Sequence, residues 1–191
     1  MNERSKCAVA LIAAAVCAAG AGVVVAAQAL IPGQSEVAYV GTESGVSVEG
    51  SFSRFEAHVN LDPDKPQSGS VAISVDMASV VFPSDEVLKE LAKPDWFDTA
   101  HFPKSEFRSS SIRNLADGRV EISGALTIKG RTRDVVFPVT IGRSGGVTVA
   151  SGVISVKRLD FGVGSGEWGD TSLVEDPVQI KFKIALDGKA G

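Results

Sequence analysis

Asp98 and His101 stand three residues apart in the stretch Asp95-Trp96-Phe97-Asp98-Thr99-Ala100-His101-Phe102-Pro103, a carboxylate and an imidazole within reach of each other. Such a pair moves protons when a nucleophile is held beside it. No Gly-x-Ser-x-Gly elbow accompanies this one, so it reads as a surface charge pair on a loop. Metal chemistry has little to work with. The two histidines are His58 and His101, the two cysteines are Cys7 and Cys17, and no His-x-x-x-His or carboxylate cluster has ligand spacing. Zinc and haem are therefore not expected, and no cofactor is. Gly162-Val163-Gly164-Ser165-Gly166 is glycine-rich, but it leads to Glu167-Trp168 and not into a helix, so it fails as a dinucleotide fingerprint. The residues argue against an enzyme.

What remains is apolar chemistry. Trp96, Phe97 and Phe102 place three large rings within seven residues of a chain that is only 6% aromatic. A cluster of this kind caps a core or lines an apolar site.

The elements that must position these rings are strands. Val48 and Phe52 alternate with Ser47, Glu49 and Ser51, and Ala57, Val59 and Leu61 alternate with polar neighbours. Val71, Ile73 and Val75 do the same. Further runs cover residues 107–112, 120–128, 135–141, 147–156 and 178–186. The last is the cleanest, with Val178, Ile180, Phe182, Ile184 and Leu186 on one face. Period-two alternation means one dry and one wet face, the pattern of antiparallel sheet. Turn chemistry separates the runs at Asp62-Pro63-Asp64, Ala116-Asp117-Gly118, Lys129-Gly130 and Ser144-Gly145-Gly146. The spacing suits a closing meander or a sandwich. One segment differs. Ser84 is placed to cap a short helix over 85–92, with Val87, Leu88 and Leu91 as its apolar stripe and Pro94 as its stop.

A barrel of about eight strands can enclose one small ligand. Val46, Val48, Gly50, Val71, Val75, Gly124 and Val149 are small or branched and leave room; the other reading is a filled core, with the aromatic loop occupying that room. The candidate ligand-contacting residues come from one face of each strand: Val48, Phe52 and Phe55, then Val71, Ile73 and Val75. Phe107, Leu126, Ile128, Phe137 and Val149 continue the set. Leu88 and Leu91 of the helix, Trp96, Phe97 and Phe102 of the loop, and Phe161 and Trp168 complete it.

The N-terminal segment reads separately. Arg4 and Lys6 precede an uncharged run over 7–27 rich in alanine and glycine, and both Val25-Ala26-Ala27 and Ala27-Gln28-Ala29 carry small residues where signal peptidase needs them. Residues 1–29 are expected to be a secretory signal peptide, with a retained anchor as the alternative, and 30–191 the folded domain. Residues 1–27 carry a net +1 from Glu3, Arg4 and Lys6, so the chain beyond them stands at −5 and holds no cysteine. An acidic exported domain is a poor partner for nucleic acid. It must also cohere by its core and not by disulfides. A periplasmic location is expected.

Several motifs in one order carry a resemblance. Gly50-Ser51-Phe52-Ser53-Arg54-Phe55 leads through Leu61-Asp62-Pro63 to Val75-Asp76-Met77-Ala78-Ser79. Asp95-Trp96-Phe97-Asp98, Phe102-Pro103 and Phe107-Arg108-Ser109 follow. Gly124-Ala125-Leu126-Thr127-Ile128-Lys129-Gly130 and Thr132-Arg133-Asp134-Val135 come next. Over residues 35–187 this resembles the YceI-like, polyisoprenoid-binding family. The resemblance implies an all-β, lipocalin-like antiparallel barrel of about eight strands, with one short helix and an aromatic loop near one end. It implies an exported carrier that holds a polyisoprenoid, a quinone or another long-chain amphiphile in its lumen. Trp96, Phe97 and Phe102 would gate the mouth, with Trp168 beside them. The stretch from Arg158 to Asp170 resembles a subgroup found beside inner-membrane b-type cytochromes, which makes such a cytochrome an expected partner; a homodimer is the other. The alternative function is a packed barrel that acts as an interaction or stress-response module. Ser35-Glu36-Val37 follows closely on the leader, so the first strand is expected to be short.

Overall fold

The computed structural model describes residues 28–61 and 65–187. The leader through residue 27, with Cys7 and Cys17, and the Asp62-Pro63-Asp64 turn lie outside the described residues. Ten strands form a single antiparallel sheet. They are β1 Glu36–Glu43, β2 Val46–Phe52, β3 Phe55–Asn60, β4 Ser70–Asp76, β5 Val80–Val81, β6 Lys104–Asn114, β7 Val120–Ile128, β8 Arg131–Ser144, β9 Val147–Lys157 and β10 Pro177–Asp187. Their order across the sheet is β3-β4-β6-β7-β8-β9-β10-β1-β2-β5.

The sheet curls until its two ends meet. β2 and β3 are one bent stretch of chain, interrupted only by Ser53 and Arg54. The first half pairs with β1 and β5, the second with β4. At the corner Ser53 N–H donates to Ser79 O, Asp76 N–H donates to Arg54 O, and Arg54 N–H donates to Ser79 Oγ, each at 3.0 Å. The Arg54 guanidinium donates to the Asp76 carboxylate at 2.8 and 2.9 Å, which holds that carboxyl below the usual carboxylate range. These bonds tie the two halves of the curled sheet at the corner, while the outer edges of β2 and β3 are covered only in part, β2 by β5 at Ser51 and Phe52 and β3 by Gln28 at Val59.

The first strand differs from expectation. β1 runs for eight residues and lies between β10 and β2, with both edges paired. The preceding chain straps it down: Gln28 N–H donates to Val59 O at 3.2 Å, and Asp187 N–H to Ala29 O at 2.8 Å. Leu30 packs against the core.

The hairpins follow their turn residues. Lys129 and Gly130 take φ of 49° and 70°, the two left-handed positions of a two-residue turn between β7 and β8. The one described α-helix, α1, spans Asp85–Leu91; Ser84 Oγ accepts from Val87 N–H at 3.4 Å. Ala92 is its C-cap, not its last turn. Phe161, Ile184, Leu186 and Val139 are fully buried in the core, and all five apolar residues of the even face of β10 point inward.

Candidate functional site

The inner faces of the strands enclose a cavity of about 300 Å³. Its wall is built strand by strand from alternating positions: Val37, Tyr39 and Gly41 of β1, Val71, Ile73 and Val75 of β4, Leu126 and Ile128 of β7, and Val178, Ile180 and Phe182 of β10. Val87 and Leu91 of α1, with Trp96 and Phe97 of the loop behind it, close one side. Phe97 packs its ring against Tyr39 and Phe52, with centroids 6.4 and 6.2 Å away, and Trp96 meets Trp168 in a tilted pair with centroids 5.5 Å apart. The helix ends where Pro94 ends it, and the loop is then pinned by its own backbone: Phe97 N–H donates to Leu91 O at 2.9 Å, and Phe102 N–H to Asp98 O at 2.9 Å.

Fourteen of the residues expected to meet a ligand lie on this wall: Val48, Phe52, Val71, Ile73, Val75, Leu91, Trp96, Phe97, Phe107, Leu126, Ile128, Phe137, Phe161 and Trp168. Four do not. Phe55 packs against the core, and Leu88 is not among the α1 residues on the wall, which are Val87, Glu90 and Leu91. Phe102 seats its ring on the β7–β8 turn, where a Cβ on Gly130 would stand 2.6 Å from it. Val149 faces the wrong way, because the buried side of β9 carries Thr148, Ile154 and Val156. Val46, expected to point inward, is 65% exposed at the start of β2.

Two of the glycines read as leaving room are in fact covered. The Tyr39 ring lies over Gly50, and the Phe107 ring lies over Gly124; a Cβ at either position would collide with the ring. Gly152, under Phe182, repeats the device on β9. Missing side chains on one strand thus let rings from the neighbouring strand lie flat against the wall. The wall also holds residues outside the expected set, among them Val37, Tyr39, Val87, Val178, Ile180 and Phe182, and of these Tyr39 alone brings a hydroxyl. It is the chain's single tyrosine, and its position at the centre of β1 is the signal that would have found it. Its hydroxyl has no hydrogen-bond partner among the described residues, and burial pushes its pKa up to about 12.

Arg158 organises the other side. It is 4% exposed, just beyond β9. Its five N–H groups all donate to backbone carbonyls: Glu175 at 3.1 Å, Val163 at 3.0 Å, Gly164 at 2.5 Å, and Trp168 and Val174 at 2.7 Å each. The loop can wrap it because Gly162, Gly164 and Gly166 take φ of 68°, 68° and 61°. The glycine run without a dinucleotide context is therefore a cradle for a guanidinium. Burial lowers the Arg158 pKa, and Asp176 nearby opposes that. Lys129 ties the same loop to the aromatic one, donating to Pro94 O and to Gly162 O at 2.7 Å.

The Asp98–His101 pair is a surface contact. His101 Nδ1 lies 2.8 Å from Asp98 Oδ1, and the imidazole is exposed. Among the described residues no group of three His, Cys, Asp or Glu side chains converges as a metal site would.

Residues 29–186 match the YceI-like domain family. The fold is similar to the crystal structure of BcnA from Burkholderia cenocepacia, which is 38% identical at a TM-score of 0.80 over 82% of this chain and 98% of that one. It is also similar to a polyisoprenoid binding domain from Saccharophagus degradans implicated in plant cell wall breakdown, at a TM-score of 0.68 over 85% and 98% of the two chains. Identity there is 15%, so that likeness concerns the fold alone. Among curated relatives, a UPF0312 protein of Pseudomonas putida is 28% identical over 98 residues, 51% of each protein. The chain spans about half the length of that relative. A UPF0312 protein of Vibrio cholerae is 26% identical over 141 residues, 69% of this chain and 75% of that protein.

Proposed function

The chain belongs to the YceI-like family, and on that premise we propose that it is an exported carrier which holds a polyisoprenoid, or a similar long-chain amphiphile such as a quinone, in its lumen. The observation that carries this reading is the cavity: about 300 Å³ in the centre of the sheet, walled almost entirely by aliphatic and aromatic side chains. That volume is at the small end of ligand pockets, about 300–1,000 Å³. A long chain would fill it and continue outward past the aromatic loop.

Burial alone supplies the affinity. At about 0.8 kcal/mol per CH₂, each five-carbon isoprene unit contributes ~4 kcal/mol before ordering costs. No catalytic group is needed, and the proposal needs neither a second copy of the chain nor a b-type cytochrome. Export to the periplasm, with residues 1–27 removed as a leader, belongs to the same proposal. The alanine-rich segment and its two small-residue sites support it.

Native mass spectrometry of the protein purified from its own cell envelope tests the reading, with N-terminal sequencing on the same sample. A bound prenyl lipid, and a first residue at 28 or 30, are the expected results. A protein that carries no lipid and takes up neither prenols nor quinones is a packed module, and the carrier reading then fails.

A further inference from the structure

We infer that the Tyr39 hydroxyl is the polar anchor of the lumen, and that it selects an uncharged prenyl ligand with an oxygen acceptor over the phosphorylated form. The inference rests on the carrier reading above and adds what the ligand's head must be.

Tyr39 sits mid-strand on β1, between Gly50 of β2 and Ile180 of β10. Its ring lies flat over Gly50, with the hydroxyl 2.5 Å from where a Cβ would stand, so the absence of that side chain is what lets the phenol reach across the wall. Phe52 and Phe97 flank the ring at 5.9 and 6.4 Å. The surroundings are apolar, and the hydroxyl is unpaired among the described residues. The phenol is half-buried on the cavity wall and is free to donate to whatever oxygen a ligand brings. Of the other donors on the wall, Ser105 Oγ already donates to Thr127 O at 2.8 Å, while Trp96 Nε1 is buried without a partner among the described residues and is the competing donor that the Tyr39 variant separates.

The same wall disfavours an anion. Its charged members are Glu43, Glu90, Glu106 and Arg158. Arg158 has every N–H committed to loop carbonyls, so none is free for a phosphate oxygen. Lys129, on the nearby turn but not on the cavity wall, donates two of its three N–H groups, to Pro94 O and Gly162 O. A phosphate entering here would lose its water and meet three carboxylates, and Arg158, the cation among the lining residues, has no N–H left for it.

Trp96 and Trp168 are the chain's two tryptophans and both line the cavity, so intrinsic fluorescence reports occupancy directly. Wild type and Tyr39→Phe are titrated at low salt with farnesene, farnesol and farnesyl monophosphate, which share one chain and differ in the head. Wild type is expected to bind farnesol about tenfold more tightly than farnesene, the equivalent of one hydrogen bond. In Tyr39→Phe that advantage should shrink to about twofold or less while farnesene binding is kept. Farnesyl monophosphate should bind wild type more weakly than farnesol. The inference is overturned if the farnesol advantage survives in Tyr39→Phe, if farnesene binding is lost with the hydroxyl, or if the monophosphate binds best. Failure of all three compounds to bind wild type would instead remove the carrier reading on which the inference rests.

Discussion

Replacing Arg158 by methionine keeps an aliphatic stem in place and removes all five donors. Hydrogen bonds to a charged group contribute about 1.5–3 kcal/mol each. The five acceptors belong to neighbouring stretches of one loop, however, and can turn together toward water. The loss is then set by release of that loop, and about 3–5 kcal/mol is expected, the range found when a buried ionic arrangement loses one member. For a domain of this size each kcal/mol moves the melting temperature by about 2–4 °C, so a fall of about 6–20 °C should appear in thermal unfolding followed by circular dichroism. Hydrogen exchange should show protection lost first over residues 162–175, and Trp168 emission should shift as its wall opens. Arg158→Lys restores charge but offers three donors, and should fall between the two. A methionine variant that melts within about 2 °C of wild type, with the loop still protected, would refute the reasoning.

Other perturbations test separate parts of the same architecture. Gly124→Ala should destabilise by about 1–3 kcal/mol in denaturant unfolding, since its Cβ would meet both the Arg108 carbonyl and the Phe107 ring. Gly50→Ala meets the Tyr39 ring first and not a backbone carbonyl, so it should cost less and show itself instead as weaker farnesol binding. The Asp76 carboxyl, held low by Arg54, favours the folded state above the ordinary aspartate pKa near ~3.9 and loses that contribution as pH falls through its own lower value. Asp76→Asn should therefore flatten the acid limb of the stability profile slightly, by less than about 1 kcal/mol for so exposed a pair. Tyr39 works at the other limb. With its pKa raised to about 12, stability should fall between the ordinary tyrosine pKa near ~10 and that value, and the phenolate absorbance should appear only there. Ionisation near ~10 in the folded protein would show that the ring is not buried in the lumen.

The strands were legible because their signal is local. Val71-Ala72-Ile73-Ser74-Val75 and the run from Val178 to Leu186 alternate so cleanly that each reads as a strand, while the fold decides which face turns to the lumen. β9 does not alternate this way. It carries Val147, Val149 and Val153 on one face and Ala150, Ile154 and Val156 on the other. The face is decided by register, with Gly152 set opposite Val139 and Phe182. The covered glycines failed for a related reason. Absence of a side chain shows that space exists at that position but not who fills it, and at Gly50 and Gly124 the rings come from the neighbouring strands. Phe102 shares its loop with Trp96 and Phe97, yet the chain turns at Asp98, whose φ is 50°, and carries it to the far side. Arg158 gave no signal beyond the glycine run that wraps it, because its acceptors are backbone groups that any residue supplies.

The sequence by itself determined the all-β character, the capped helix stopped by Pro94, the turns and the order of motifs that marks the family. These depend on period-two alternation, φ preferences and side-chain chemistry within a few residues of each other. Tertiary structure alone decided that β1 is paired on both edges, that the sheet ends meet at Ser53–Arg54, and that a cavity remains behind Trp96 and Phe97 with one unpaired phenol on its wall. A lumen is the space left over when distant strands fail to fill one volume. No single strand records that difference.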